Sequence, residues 1–378
     1  MKIANRFAGL LTLASLIAGP AMAQAPAAKT LPPPAQIYLG ADLSFANEME
    51  DCGANFRAKG KPADPFVLLK QHGGNLMRVR IWNNPDWTHY STYDDVLKTI
   101  KRAHAAGLQV LLDFHYSDDW ADGDKQRPPA AWAHLDTAAQ ARAIHDYTRD
   151  ILGRLAAAGE NPELVQVGNE INSEMLGGDK NHPVDWKRDA QLINAGVAAV
   201  REAGKASGHP ARVMLHVAQP ENIIPWFDNA TAAGVLDYDI IGISYYPKWS
   251  KFNLSGLGKV ISATRQRYGA DVMVVETAYP FTLDHGDDTS GNVLGEDSLI
   301  PAYPATPKGQ LSYMQDLTQL VIDSGGDGVV YWAPDWVTTR CKTRWGTGST
   351  WENATWFDIA HHEALPVFDF MARDYRRK

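Results

Sequence analysis

The sequence has few of the features that binding to a nucleic acid or a membrane requires. Its 378 residues carry a formal net charge of −8, and no cluster of Lys and Arg lies on a predicted helix. Beyond an N-terminal stretch, no apolar run of the sequence is long enough to cross a bilayer. We therefore expect neither nucleic acids nor membranes as partners.

Cysteine and phosphate-binding glycines are also scarce. The chain has 2 cysteines, Cys52 and Cys341, and a lone pair in an exported protein is typical of one disulfide. The segment Gly40–Ser44 after the first predicted strand lacks the glycine spacing that binds a dinucleotide. This absence argues against an open, doubly wound nucleotide-binding sheet.

The N-terminus has the parts of a secretion signal. Lys2 and Arg6 precede the apolar run Phe7–Ile17, and Ala21–Ala23 is a small-x-small cleavage site. We predict that residues 1–23 are a signal peptide for the Sec pathway, so that the mature protein is periplasmic or extracellular.

The rest of the chain predicts one domain. Residues 24–36 are rich in Pro and Ala and predict a short linker, and the domain spans residues 37–378. Gly107 and Gly204 follow amphipathic segments and predict helix ends. Apolar strand-like runs span residues 37–42, 75–82, 109–115, 164–170, 212–216, 238–246, 271–276 and 327–332. Eight such runs alternating with helical patterns predict a (β/α)8 TIM barrel, an α/β fold, with a doubly wound sheet as the alternative.

Polar and aromatic residues recur where these strands end. The carboxyl ends of all strands of a (β/α)8 barrel face one shared site. The residues at these ends are Asp42, Arg78, Arg80, His115, Asn169, Glu170, His216, Tyr245, Tyr246, Glu276 and Trp332. A structural role explains one such residue but not a set in register, so we predict a functional site at this face.

Two glutamates of this set, Glu170 and Glu276, end the fourth and seventh predicted strands. These strands lie across the barrel from each other, so the carboxylates can approach to about 5 Å, the separation found in retaining glycosidases. One carboxylate then attacks the anomeric carbon, while the other donates a proton and later accepts one. The spacing leaves the two roles unassigned, and a salt-bridged structural Glu170 is the alternative.

Several longer motifs include these strand-end residues. The most specific motif is DFHYSDDWAD (113–122), beside GADLS (40–44), GGNLMRVRIW (73–82), VGNEI (167–171), ISYYP (243–247), VET (275–277) and YW (331–332). Together these motifs resemble glycoside hydrolase family 53, the endo-β-1,4-galactanases. The resemblance spans Gly40 to Phe370 and implies a retaining (β/α)8 glycosidase. It implies that Glu170 is the acid/base, that Glu276 is the nucleophile, and that Asn169 contacts the sugar 2-hydroxyl.

The chain departs from the usual family pattern at several places on the substrate face. Gly123 stands where Pro is usual, and Asn172–Gly177 replaces the usual segment after Asn-Glu-Ile. Val217–Gln219 replaces Asp-Asn-Gly after His216, and Ala333 stands where Glu is usual between Trp and Pro. These departures bear on sugar subsites and preferred chain length and remove no predicted catalytic group.

Further residues are predicted to bind substrate or to support the carboxylates. They are Asp42, Arg78, His115, Trp120, His216, Tyr246 and Trp332. Arg78 and Tyr246 are expected to keep Glu276 ionised, and Trp332 is expected to stack on a galactose ring. The alternatives are a core role for His115, a structural ion pair for Arg78, and packing roles for the tryptophans.

Two loops carry further predictions. The insertion 278–308 offers hard oxygen ligands for calcium, and a solvated acidic loop is the alternative. Its candidate ligands are Asp284, Asp287, Asp288 and Asn292. Cys52 follows the first strand and Cys341 the eighth, and these strands are neighbours in a closed barrel, so we predict a disulfide between the two loops.

The function that these features favour is endo-hydrolysis of β-1,4-galactosidic bonds in the galactan side chains of pectin. The expected partners are galactan polysaccharides or galacto-oligosaccharides, and we expect a monomer that requires no cofactor. One alternative is the same chemistry on a mannan or a β-glucan. Another is a non-catalytic carbohydrate-binding barrel, which the presence of both glutamates disfavours.

Overall fold

The computed structural model describes residues 36–179, 183–289, 291–344 and 346–376. The predicted signal peptide, 1–23, and the linker, 24–36, lie outside these residues except for Gln36. None of the helices in the described ranges combines the length and the apolar character that crossing a membrane needs.

Eight parallel strands form a closed barrel in which each strand pairs with its neighbours in the sequence, and the last pairs with the first. The strands are β1 Tyr38–Asp42, β2 Leu76–Ile81, β3 Gln109–Phe114, β4 Leu164–Val167, β5 Arg212–Ala218, β6 Ile240–Ser244, β7 Asp271–Glu276 and β8 Gly328–Tyr331. The predicted TIM barrel is therefore confirmed. The structure excludes the doubly wound sheet, because β1 pairs with both β2 and β8 and the sheet has no free edge.

Helices surround the barrel, with two of them between β1 and β2. They are α1 Ala46–Asp51, α2 Pro65–Gln71, α3 Tyr93–Ala105, α4 Thr137–Ala157, α5 Trp186–Ser207, α6 Pro220–Ala232, α7 Leu254–Tyr268 and α8 Pro307–Asp323. Two short 3-10 helices, Glu352–Ala354 and Pro366–Phe370, follow β8 in the chain. Pairs of two-residue strands, 57–58 with 61–62, 125–126 with 178–179, and 342–343 with 346–347, decorate the loops.

Capping side chains mark the starts of several helices. The Asp136 and Asp185 carboxylates accept backbone N–H groups at the starts of α4 and α5. The prediction that Gly204 ends a helix is wrong, because α5 continues to Ser207 and is capped by Gly208, which adopts the left-handed conformation at φ 75°. Gly204 instead allows close packing, since a Cβ there would lie 2.8 Å from Pro210 Cα.

The barrel interior is apolar towards the amino ends of the strands. Side chains from all eight strands form one buried cluster: Tyr38, Leu76, Leu111, Leu164, Met214, Ile240, Met273, Val275 and Val330. A larger buried cluster fills the space between the barrel and the helices. The strands are therefore buried on both faces, which explains why they occur in the sequence as continuous apolar runs.

The predicted disulfide is confirmed. Cys52 and Cys341 are bonded, with their Cα atoms 5.4 Å apart. Cys52 directly follows α1, and Cys341 lies in the segment after β8. The bond therefore joins the loops that follow the first and eighth strands across the closure of the barrel.

Asp189, near the start of α5, is a fully buried carboxyl that supports the loop after β4. Its Oδ1 atom accepts the Met175 N–H at 2.9 Å, whereas Oδ2 is buried without a hydrogen-bond donor. Burial raises the pKa of Asp189 to about 8. The protein should therefore hold this side chain as a neutral acid over most of the neutral range.

We expect Asp189→Asn to weaken the pH dependence of stability. An unfolded Asp loses its proton near pH 4, and the folded one only near pH 8, so folding stability falls as pH rises through this window. From pH 5 to 8 the wild type should lose roughly 1–3 kcal/mol more unfolding free energy than the Asn variant, which keeps the acceptor for Met175. Urea unfolding at a series of pH values measures this difference, and Asp150→Asn, an exposed carboxylate, is the control. Equal pH slopes in wild type and Asp189→Asn would contradict it.

Candidate active site

A groove of 1380 Å³ opens where the barrel strands end. The predicted residues that line it are Trp120, Asn169, Glu170, Tyr246, Glu276 and Trp332. The other six do not line it and are at most 3% exposed: Asp42, Arg78, Arg80, His115, His216 and Tyr245. The predicted strand-end residues and Trp120 thus divide into six that line the groove and six that are buried.

A layer of polar side chains lies inside the barrel, next to the apolar cluster and nearer the carboxyl ends of the strands; we call it the polar layer. Alternate residues of a strand share one face, so the residue two positions after an interior side chain also points inward. Leu76 is followed in this way by Arg78, Leu111 by Asp113, and Leu164 by Gln166. Asp113 and Gln166 belong to this layer although the prediction did not include them, and period-two alternation from Leu111 and Leu164 is the signal that would have found them.

Arg78 is the centre of the polar layer. Its guanidinium contacts three carboxylates, those of Asp42, Asp113 and Glu276, each at 2.8 Å. It also donates to Asn169 Oδ1 at 2.8 Å and to Gln166 Oε1 at 3.3 Å. Burial acts to lower the pKa of Arg78, but the carboxylates outweigh it and raise that pKa. The permanent positive charge of Arg78 is therefore shared by three buried carboxylates.

Glu276 reaches the groove through an irregularity in β7. Strict alternation from Met273 and Val275 would turn Glu276 out of the barrel. The register of β7 against β6 shifts by one residue, so that Ile243 pairs with Val274 but Ser244 pairs with Glu276. Such a bulge re-aims the side chain that follows it. The carboxylate of Glu276 consequently joins the polar layer.

Two groups hold the Glu276 carboxylate. Arg78 Nη1 lies 2.8 Å from Oε1, and the Tyr246 hydroxyl donates to Oε2 at 3.2 Å. Burial raises the pKa of Glu276, the Arg78 charge lowers it, and the nearby Glu170 carboxylate raises it further. The two glutamates are therefore electrostatically coupled across the groove.

Glu170 lies three residues beyond the end of β4. The strand stops at Val167 rather than continuing to Glu170 as predicted, because Gly168 turns the chain at φ 81°. Glu170 itself has a positive φ of 44°, a conformation that is strained for a residue with a side chain and is frequent at functional sites. The turn directs the side chain into the groove instead of along the barrel wall.

Neutral donors hold the Glu170 carboxyl. The Ser244 hydroxyl donates to Oε1 at 2.5 Å, and the Gly123 backbone N–H donates to Oε2 at 3.2 Å. Burial raises the pKa of Glu170, while the Ser244 contact lowers it. The contrast with Glu276, which contacts a guanidinium, gives the two carboxyl groups different preferences for a proton.

His216 contacts the backbone of Glu170 and the serine that binds the Glu170 side chain. Its Nε2 atom is 2.8 Å from Ser244 Oγ, and its Nδ1 atom is 3.3 Å from the Glu170 backbone N–H, which donates to it. Burial and then the charge of Arg78 lower the pKa of His216 well below its ordinary value, so the ring is neutral. Ser244, which links His216 to Glu170, is a third residue of the network that sequence reasoning missed. Its small hydroxyl gives little signal in the apolar run of β6.

His115 has a buried, fixed position. Its Nε2 atom lies 3.0 Å from Asp113 Oδ2, while its Nδ1 atom accepts the Ala121 N–H at 3.1 Å. His115 therefore joins the polar layer to the loop that carries Trp120. In the structure it is a buried support rather than a groove residue.

Aromatic side chains form one wall of the groove. Trp332 packs edge-on against Trp351 with ring centroids 4.8 Å apart, and both line the groove. Trp120 covers the buried Arg80, whose guanidinium carbon lies 4.3 Å from the indole centroid. The Nε1 atoms of Trp120 and Trp351 are buried without a protein acceptor. Ring faces of this kind suit a sugar, which offers apolar faces for stacking.

The three aspartates among the predicted calcium ligands do not come together as one set. In the described part of the chain, the potential metal-binding group near them is His285, Asp287 and Glu352, whose ligand atoms lie within 4.8 Å of one another. Asp284 and Asp288 are outside this group and exposed. The Asn292 amide donates to the Asp284 backbone carbonyl at 2.8 Å. Of the three predicted aspartates only Asp287 takes part, and hydrogen bonds from Thr289 and Ser349 already occupy both of its oxygens.

Comparisons with known proteins agree with this geometry. The model of the family described as glycosyl hydrolase family 53 matches residues 38–371. The arabinogalactan endo-β-1,4-galactanase of Cellvibrio japonicus is 53% identical over 344 residues, which cover 90% of this chain and 91% of the relative. The endo-β-1,4-galactanase of Bacillus subtilis is 37% identical over 335 residues, which cover 83% of this chain and 76% of the relative. The solved GH53 catalytic domain of Ignisphaera aggregans has a TM-score of 0.83 at 29% identity and covers 92% of this chain and 99% of that one. The family resemblance read from the motifs is confirmed: this chain is a glycoside hydrolase and belongs to glycosyl hydrolase family 53.

Proposed function

We propose that this protein is an endo-acting, retaining hydrolase of β-1,4-galactan, including the galactan side chains of pectin. The observation that carries the proposal is a pair of glutamates on one open groove, one beside a guanidinium and the other beside neutral donors. The galactanase names of the Cellvibrio and Bacillus relatives support galactan as the substrate. An open groove also suits a substrate chain that extends past the cleaved bond on both sides.

Glu276 is proposed as the nucleophile. Burial and the repulsion between the two carboxylates raise the pKa at which the pair loses its last proton, so we propose that the pair holds one proton at neutral pH. The negative charge favours Glu276, where Arg78 and the Tyr246 hydroxyl stabilise it, so the proton resides on Glu170. Ionised Glu276 attacks the anomeric carbon as the glycosidic bond breaks, which forms a covalent galactosyl-enzyme ester.

Glu170 is proposed as the acid/base. In the first step it gives its proton to the departing glycosidic oxygen, so that the aglycone leaves as an alcohol. In the second step the Glu170 carboxylate takes a proton from water as that water attacks the anomeric carbon and releases Glu276. Asn169, beside it on the groove wall, is proposed to meet the sugar 2-hydroxyl.

We also propose export of the protein as a monomer with residues 1–23 removed and residues 37–378 forming the catalytic domain. The basic and apolar N-terminal pattern supports export. The Cys52–Cys341 bond supports it too, because disulfides persist in oxidising compartments.

Product analysis tests the proposed activity. Purified protein is incubated with linear β-1,4-galactan, β-mannan and mixed-linkage β-glucan, and early products are separated by size. We expect oligosaccharides of several lengths from galactan and none from the others, and proton NMR should show the β-anomer first. Cleavage of mannan or glucan but not galactan would overturn the substrate, and initial release of the α-anomer would overturn retention. Absence of cleavage of all three would favour the non-catalytic barrel.

A further inference from the structure

A tight turn between β3 and α4 meets the proposed acid/base. The Lys125 N–H donates to the Asp122 carbonyl at 3.0 Å, and the Asp122 N–H donates to the Lys125 carbonyl at 2.8 Å. Gly123 is thus the second residue of a four-residue turn, and the N–H at that position takes no part in closing the turn. In this protein it points at Glu170, with N to Oε2 at 3.2 Å.

The turn is held firmly against the segment that carries Glu170. The Gln126 side-chain amide donates to the backbone carbonyls of Asp122 and Asn169, each at 2.9 Å, and to that of Glu170 at 3.2 Å. Gln126 is buried, so these bonds are shielded from water. The distance between Gly123 and the carboxyl is therefore set by the fold.

We propose that the Gly123 backbone N–H is a positioning group for the acid/base: it orients Glu170 Oε2 within the groove and stabilises the ionised form of that carboxyl. The inference rests on the proposed role of Glu170. With Oε1 occupied by Ser244, Oε2 is the oxygen left to exchange a proton with the glycosidic oxygen and with water. A single N–H leaves one lone pair of Oε2 free for that proton.

A substitution at position 123 leaves the other charged groups around Glu170 unchanged. Asp122 raises the pKa of Glu170 from the turn itself, and Arg78 lowers it from β2. The remaining titratable groups that face it are Glu276 from β7, the Tyr246 hydroxyl after β6 and the neutral His216 from β5. The contribution of Gly123 can be isolated because it carries no charge and no side chain.

Position 123 accepts both residues that the test requires. Gly123 does not adopt a positive φ, and a Cβ there would meet the Asn172 side chain at 3.6 Å, an ordinary contact. Proline is favoured at the second position of common turns, so it fits the backbone while it removes the N–H. Alanine keeps the N–H and serves as the matched control.

The pH dependence of kcat/KM on galactan distinguishes the two variants. Loss of a donor to the carboxylate raises the pKa of Glu170, so Gly123→Pro should move the alkaline limb up by about 0.5–1 pH unit. Gly123→Ala should keep the wild-type limb, whatever its activity at the optimum. Coincident alkaline limbs for Pro and Ala would overturn the proposal, since a turn that only shapes the groove changes activity without moving a limb.

A second measurement does not depend on the proline variant folding. In protein labelled with ¹⁵N-glycine, the Gly123 amide is identified as the resonance missing from Gly123→Ala. Its proton shift should follow a titration curve that is lost in Glu170→Gln. An amide that does not titrate in the wild type would overturn the inference even if galactan is cleaved, whereas absence of cleavage by the wild type would overturn the proposed function instead.

Discussion

Replacement of Glu276 by glutamine is expected to lower kcat on β-1,4-galactan by roughly 10⁴-fold or more, because the amide cannot attack the anomeric carbon. Glutamine keeps the size of the side chain and an oxygen that can accept the Tyr246 hydroxyl, so the fold should persist. It also leaves Arg78 with one carboxylate fewer, and Asp42 and Asp113 still neutralise that guanidinium.

The measurement is the initial rate of reducing-end release, with circular dichroism and thermal melting as checks on folding. Glu202→Gln is the matched control, because Glu202 is an exposed glutamate of α5 that does not line the groove. It should retain wild-type activity. A Glu276→Gln protein with more than a tenth of that activity would remove Glu276 from the role of nucleophile. Glu276→Gly with azide should yield an α-galactosyl azide from an activated aryl substrate, which identifies the missing group as a nucleophile.

Replacement of Glu170 by alanine is expected to affect substrates according to their leaving groups. On galactan, where the departing sugar needs a proton, kcat should fall by roughly 10²–10⁴-fold. On a dinitrophenyl β-galactobioside, which leaves without a proton, formation of the covalent intermediate should be almost unimpaired. Water attack then lacks its base, so the intermediate should accumulate and give a burst of dinitrophenol.

Azide provides the control for this variant. It needs no general base, so it should raise the steady-state rate of Glu170→Ala and give a β-galactosyl azide, with no such effect on the wild type. Equal losses on galactan and on the dinitrophenyl substrate would contradict an acid role for Glu170. A variant of Ser244, which donates to Oε1, should change the rate and the pH profile without producing the leaving-group dependence.

Some of the fold could be predicted because the relevant information is local. Each strand occurs as an apolar run since both of its faces are buried, and eight runs give the strand count. The Cys52–Cys341 bond followed from barrel closure, which makes the first and last strands neighbours. The end of α5 was predicted wrongly because glycine suits both a helix terminus and a close contact, and only Pro210 shows which applies.

The site was predictable in part. Residues at strand ends were found because the barrel places these ends together. Asp113 and Gln166 were missed since they lie inside the strands, where alternation rather than strand ends marks the inward face. Gly123 was noticed as a departure from the family pattern, but nothing in the sequence indicated that its N–H meets Glu170.

The sequence alone thus determined the barrel and the family, and it predicted the two glutamates, because hydrophobic periodicity and contiguous motifs are properties of short stretches of chain. Only the tertiary structure decided how those glutamates differ. A proton preference depends on burial and on charges within a few ångströms, and these come from residues far apart in the chain. Arg78 reaches Glu276 across 198 positions (276 − 78), and Gly123 reaches Glu170 across 47. The bulge in β7 that turns Glu276 inward likewise exists only as a register between two paired strands.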